Sequence, residues 1–301
     1  PLTAFGVNAV RVGAEFEKSM NMVQAATGAS AEEMAKLSAL AKQLGEETTF
    51  SAGEAAKAMT ALSKAGFSPA QIAAGALSET MKLAATEGMD LAESADIIAQ
   101  SMGAFGLKAE ETARISDALA GASTASTASV AGLSQALAQV GTIANSAGLS
   151  IEETAGTLAL LAAKGIQGSD AGTSLKTLLA RLQPTTKEAS EAMKNLGLNF
   201  VNANGEFVSI SEVAGQLQSK LGGLTEAQRS ATLQTIFGSD AVRAANILYQ
   251  GGASEIEKYT AAAQDKEAAE KLSEAATKGV GGAIEQMKGA LETLSLEVFE
   301  L

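Results

Sequence analysis

Cysteine, histidine and tryptophan do not occur in this 301-residue chain. Without cysteine there is neither a disulfide frame nor a thiolate to act as nucleophile or ligand. Without histidine, imidazole acid–base chemistry, the Ser-His-Asp and Cys-His arrangements and the usual zinc sites are excluded. Carboxylates, lysine, tyrosine and hydroxyls are what remains for catalysis. Proline occurs three times, so few helix breakers interrupt the chain. Aromatic residues make up 4% although hydrophobic residues reach 46%. Alanine and glycine are plentiful instead, which points to closely packed, small-residue helices rather than a sheet.

Positive charge is scarce as well. Against 34 acidic residues stand 22 basic ones, a net charge of −12, and no Lys/Arg cluster forms a stripe. A direct grip on nucleic acid is therefore not expected, and the surface should repel anionic membranes. The longest apolar run, Leu158 to Ala163, falls far short of the roughly 18 residues that a membrane span requires. Membrane contact is not supported by this region. No signal-peptide pattern is present. The chain opens at Pro1, without Met and inside a helical pattern, as expected of a fragment or a processed product.

What is present is one kind of helix start, repeated. Ser30 with Glu33, Ser51 with Glu54, Ser68 with Gln71, Asp90 with Glu93, Ser150 with Glu153, Thr225 with Gln228 and Ser254 with Glu257 all match a capping box. Phe67 and Ile72 have the spacing of a hydrophobic staple, and Pro69 sits at a first helical position. Helix ends are marked by Gly28, Gly45, Gly66, Gly88, Gly106, Gly148, Gly165 and Gly197, each suited to a left-handed cap.

The fold expected is all-α: a multi-helix domain of short antiparallel hairpins, with long helices at both ends and one small β-hairpin. A long helix covers 1–27, with Phe5, Val12, Phe16 and Val23 on one face. A helical core domain follows over 28–252, without a Ser/Pro-rich linker. Its helices are expected near 31–44, 52–65, 69–87, 91–105, 109–121, 129–147, 151–164, 170–182, 186–196, 211–221, 226–236 and 240–250. STASTAS, 123–129, reads as a polar turn or mobile loop. Asn204-Gly205, between short β-prone runs, predicts a hairpin near 198–208. A calcium loop fails there because Phe200 and Ser211 occupy the first and last ligand positions. Phe50–Phe67 and Leu149–Ile166 echo each other position by position, as a duplicated hairpin or as two capped helices of one length.

The third part, 253–301, reads as a long helix interrupted near Gly279–Gly282. Beyond that break, Ile284, Met287, Leu291, Leu294, Val298 and Leu301 alternate spacings of three and four. This is a heptad seam. It predicts a coiled-coil-like stalk and self-association into a homo-oligomer; packing of the seam against its own domain is the alternative.

The most distinctive stretch is Gly165–Leu182, GIQGSDAGTSLKTLLARL. Its Leu175, Leu178, Leu179 and Leu182 share one helical face. Ser169 is the expected N-cap, Asp170 lies in the first turn, and Gly172 implies a close backbone approach. A phosphate cradle is disfavoured, since the loop lacks the P-loop lysine and follows a helix rather than a strand. Glu152, Glu153 and Glu212 could in principle serve as a glycosidase pair, but capping and solubility explain most of the acids. No constellation demands an enzyme, and no cofactor or metal is called for.

Taken in order, FEKSMNMVQAATGAS, LGEETTFSAGEAAKAMTALSKAGFS, MGAFGL, GLSIEETAGTLALLAAKGIQGSDAGTSLKTLLARL and IFGSDAVRAANIL resemble the core region of phage tail tape measure proteins, from about Phe16 to Leu248. The resemblance implies a structural protein of the virion. It would lie in the phage tail lumen, be made in the bacterial host cytoplasm, set tail length during assembly and leave ahead of the DNA. The implied partners are tail-tube subunits, tail assembly chaperones and the baseplate hub. Other functions weighed are a peptidoglycan-degrading module of a phage tail and a membrane-perturbing helical module.

Overall fold

The computed structural model describes the backbone of residues 2–299 and the side chains of residues 9–299. Phe5 and Leu301, both named above, fall outside the described side chains. The order of elements is α1 (Leu2–Thr27), α2 (Ala31–Glu47), α3 (Ala52–Lys64), the short turn α4 (Pro69–Gln71), a π-helical turn (Ile72–Ala76), α5 (Leu77–Glu87) and α6 (Leu91–Phe105). A 3₁₀ turn (Ala109–Glu111) then leads into α7 (Thr112–Thr124), α8 (Val130–Ser146), α9 (Ile151–Ala163), α10 (Gly168–Ala180), α11 (Lys187–Leu196) and α12 (Ile210–Leu221). The last elements are α13 (Glu226–Ala263), α14 (Ala268–Thr277) and α15 (Val280–Phe299). The fold is all-α.

The capping chemistry carries most of these boundaries. Reciprocal boxes close the starts of α2, α3, α4 and α13 through Ser30/Glu33, Ser51/Glu54, Ser68/Gln71 and Thr225/Gln228. At α9 only half of the expected box forms. Ser150 caps the helix, but the Glu153 carboxylate turns outward to accept the backbone N–H of Ile210 at 2.9 Å, tying the starts of α9 and α12 together. The box expected at Ser254 does not form: Glu257 accepts from the Ser211 hydroxyl at 2.8 Å instead.

The contacts divide the chain into two compact units. The first comprises the described parts of Pro1–Met102, Lys108–Ser116 and Ala269–Leu301. Here α1 packs on α3 and α15, and α2 packs on α3 and α15. Its core takes Phe16, Met20 and Val23 from α1, Leu37 and Ala41 from α2, and Met59 and Leu62 from α3. Gly45 does not end α2 as expected. It lies within the helix, where a Cβ would strike the backbone of Ala52 at 2.7 Å. The helix expected over 69–87 is kinked by the π turn.

The second unit comprises Gly103–Leu107 and Asp117–Ala268. Helix α9 is its centre, buried on nearly every face from Ile151 to Ala162, as its all-round apolar sequence requires. Helix α8 packs on α10, and α13 packs on α9, α10, α11 and α12. Close approach is the common device: a Cβ at Gly156 would meet the backbone of Thr260 at 2.7 Å. The STASTAS segment is tied down rather than loose. The Thr127 hydroxyl donates to the Ala162 carbonyl at 3.0 Å and receives the Gln167 amide at 3.1 Å.

The β-hairpin near 198–208 reduces to an isolated antiparallel bridge between Val201 and Phe207. The Asn202 side chain accepts the N–H groups of both Asn204 and Glu206, so an Asx-type loop takes up the residues a ladder would use. On either side the chain is soon helical again, with α11 ending at Leu196 and Ser209 capping α12. No strand length remains.

Candidate functional site

The Gly165–Leu182 corner and the 236–248 segment meet in the second unit. Helix α10 starts at Gly168, one residue before the expected cap Ser169, and its N-cap, Gln167, makes no side-chain cap bond. Gln167 reaches instead to Thr127, which fixes the corner from outside. The Arg243 guanidinium pairs with Asp170 at 3.1 Å, both side chains being about 60% exposed. At the other end of α10, the Arg181 guanidinium lies 3.2 Å from where a Cβ on Gly238 would sit. Leu175, Leu178, Leu179 and Leu182 are all buried. The close approach expected at Gly172 is present: a Cβ there would fall on the carbonyl oxygen and Cα of Ala136 in α8. Phe200, from the loop before α12, stacks obliquely on Phe237 with ring centroids 6.3 Å apart.

These residues hold helices together. The first turn of α10 presents a carboxylate already paired with arginine, the opposite of an anion cradle. Glu153 binds a backbone N–H, and Glu212 accepts the Gln216 amide at 3.3 Å. Among the described residues, no group of His, Cys, Asp or Glu could hold a metal ion, and no helix is long and apolar enough to cross a membrane.

Perturbed carboxylates mark helix starts. The Ser30 backbone and side-chain hydrogen bonds hold Glu33 below the usual carboxylate range, and the Lys108 backbone N–H followed by Arg114 does the same for Glu111. At Lys82 burial pulls the ammonium down, but its hydrogen bonds to Glu270 and Glu79 outweigh it and the pKa is raised. Each shift has a structural cause.

The seam on α15 is the largest feature that the fold leaves unused. Ile284, Met287, Leu291, Leu294 and Val298 are between 40% and 58% exposed. Helix α15 packs on α1 and α2 of the same unit mainly through the opposite side, with Ser295 buried beside the seam. Gly289, Thr293, Ser295 and Leu296 are the buried residues. A Cβ on Gly289 would fall on the carbonyl oxygen of Gly45. The Glu292 carboxylate accepts the Gly53 N–H at 3.2 Å, and the Gln286 amide donates to the Glu47 carbonyl at 3.0 Å. This docking face escaped the sequence reading because glycine, threonine and serine carry no hydrophobic signal. Leu301, the last seam position, lies outside the described residues. Nearby, a groove of about 470 Å³ between α1, α3 and α15 is lined by Val12, Phe16, Met22, Glu54, Lys57 and Glu292.

The comparisons with known proteins agree on one relationship. The profile of the family described as "Phage-related minor tail protein" matches residues 38–238. The chain is 36% identical over its whole length to the tape measure protein of Pneumococcus phage Dp-1, of which it covers 26%. It is 32% identical, over 99% of its length, to the probable tape measure protein of Escherichia phage P2, of which it covers 37%. The chain thus spans between about a quarter and just over a third of these curated relatives. No solved structure matches it significantly. The chain belongs to the family of phage-related minor tail proteins.

Proposed function

We propose that this chain is part of a tape measure: a structural component that sets tail length during assembly and leaves the tail ahead of the DNA. One observation carries the reading. Two proteins named as tape measure proteins align with essentially the full chain, so the likeness is not confined to one short motif. The physical character of the chain supports it. A ruler needs length per residue, which a helix supplies at ~1.5 Å each, and the described chain is helical nearly throughout. A net charge of −12 suits a protein that must not hold passing DNA.

On this reading the protein is not an enzyme. Its partners are tail-tube subunits, tail assembly chaperones and the baseplate hub, met first in the host cytoplasm and then in the tail lumen. The stretch 28–252 is the functional core, flanked by helical parts at 1–27 and 253–301. Copies associate through the α15 seam, Ile284, Met287, Leu291, Leu294 and Val298 continuing to Leu301. The seam's 3–4 spacing is what a second helix of the same kind accepts. Apolar side chains spaced this way and left in water favour a partner.

The test is genetic and microscopic. In-frame deletions and insertions of helical segments in the full-length gene should shorten or lengthen tails by ~1.5 Å per residue, measured by electron microscopy. Tails of unchanged length would sink the ruler.

A further inference from the structure

Helix α13 is not one straight helix. At Gly238 (φ 74°, ψ 175°) and Gly252 (φ 61°, ψ −167°) the backbone leaves the helical basin for one residue and then returns. Both pairs of angles lie where φ is positive and ψ extended, a region essentially restricted to glycine. Gly88 (φ 64°, ψ 33°) and Gly197 (φ 63°, ψ 34°), by contrast, take the ordinary left-handed cap. Those caps are closed by their own chain, through Met89 N–H to Ala84 O at 3.0 Å and Leu198 N–H to Met193 O at 2.9 Å.

At the α13 corners side chains of other helices stand close to the glycines. Ser239, the residue after the first corner, spends its hydroxyl on Asp240 at 3.2 Å. Glu257, which could close a box with Ser254 after the second corner, is engaged by Ser211. What stands against Gly238 is the Arg181 guanidinium at the end of α10. What stands against Gly252 is the Gln218 side chain of α12, whose amide donates to the Gln250 carbonyl at 3.4 Å.

We propose that α13 is a two-position switch. When Arg181 and Gln218 withdraw, Gly238 and Gly252 return to helical angles, and three folded segments fuse into one continuous helix. Two pairs of torsions change and no covalent bond does. Its 38 residues would then reach ~57 Å. The folded form is the resting state because it buries Leu233, Phe237, Leu248 and Ile256; the extended form must find other cover for them. The tail role gives the extended form its use, but the switch does not otherwise rest on that role.

The chain has no cysteine, so a pair introduced as Ser230→Cys and Lys258→Cys in the full chain takes two spin labels cleanly. In a straight helix these positions are ~42 Å apart, and any bend makes the distance shorter. Pulsed electron–electron resonance on the otherwise unchanged chain should give that shorter distance. Gly238→Ala with Gly252→Ala removes the residues that can make the corners, and should raise the population near ~42 Å at least tenfold with helical circular dichroism retained. Arg181→Ala with Gln218→Ala, keeping both glycines, should shift the distribution the same way by a smaller factor. Gly197→Ala, at a corner outside α13, should leave the distance alone. An unchanged distance in either double variant overturns the proposal, as does helicity lost in both.

Discussion

Gly172 and Gly103 both lie inside helices, yet their replacement by alanine should have opposite effects. At Gly172 the new methyl would strike the Ala136 backbone, which has no side-chain rotamer to yield. Overpacking of this kind costs about 1–3 kcal/mol, so Gly172→Ala should lower the urea midpoint. At Gly103 nothing lies within 4 Å and the residue is exposed. Gly103→Ala should therefore raise stability by about 1 kcal/mol through helix propensity alone. Equal shifts from the two variants would contradict the close packing of α8 on α10.

The cap acids make a pH prediction whose sign is set by their hydrogen bonds. Folding lowers the pKa of Glu33 and Glu111. Their contribution is thus complete above the unfolded carboxylate range and disappears as pH falls through the lower folded values. Titration followed by NMR should place both midpoints below that of an unstructured glutamate. Lys82 has the opposite sign. Its raised pKa means a contribution present below the unfolded lysine value and lost as pH rises through the folded one.

At the scale of elements, α15 carries buried residues and an exposed apolar row. Leu296 is 1% exposed, so Leu296→Ala should destabilise the first unit by about 2–5 kcal/mol. Leu291→Asp, on the open seam, should leave the unfolding midpoint within about 0.5 kcal/mol of the parent. If copies associate through the seam as proposed, it should instead abolish that association in sedimentation velocity. If Leu291→Asp unfolds the chain, the seam belongs to the core and not to a partner.

The elements also separate what could be read from the sequence and what could not. Helix starts at Ser30, Ser51, Ser68 and Thr225 were legible because each is a local bargain between a cap and the residue three positions on. The exposed apolar row on α15 was legible by its period. The break between α13 and α14 was not, since Gln264, Asp265, Lys266 and Glu267 include neither glycine nor proline and signal no stop. The kink in the 69–87 helix hides at Gly75, where φ reaches 134° amid good helix formers. The Gly165–Leu182 corner was legible as a turn with a buried leucine face. Its cap is Gln167, two residues before the expected Ser169, and Gln167 is held by Thr127, forty positions away in sequence. Long-range ties of that sort leave no local trace.

At the scale of the whole molecule, charge is the dominant collective property. Thirty-four acidic against 22 basic residues leave a net charge of −12, and like charges oppose compaction. Added sodium chloride screens that repulsion, with a Debye length of about 8 Å near physiological ionic strength. The thermal midpoint should accordingly rise between very low salt and that point. A fall would mean that specific pairs such as Arg243–Asp170 outweigh the general repulsion.

The interleaving of the two units in sequence also dictates an order of events on the ribosome. The second unit is complete once residue 268 has emerged. The first has to wait for α15, because Glu292 and Gln286 bind backbone groups 239 positions earlier. Synthesis therefore presents α1, α2 and α3 with their α15-facing surface open, including the backbone of Gly45, while the second unit is already able to close. During that interval the first unit is the part of the newborn chain that a chaperone could recognise, and completion of α15 ends the opportunity.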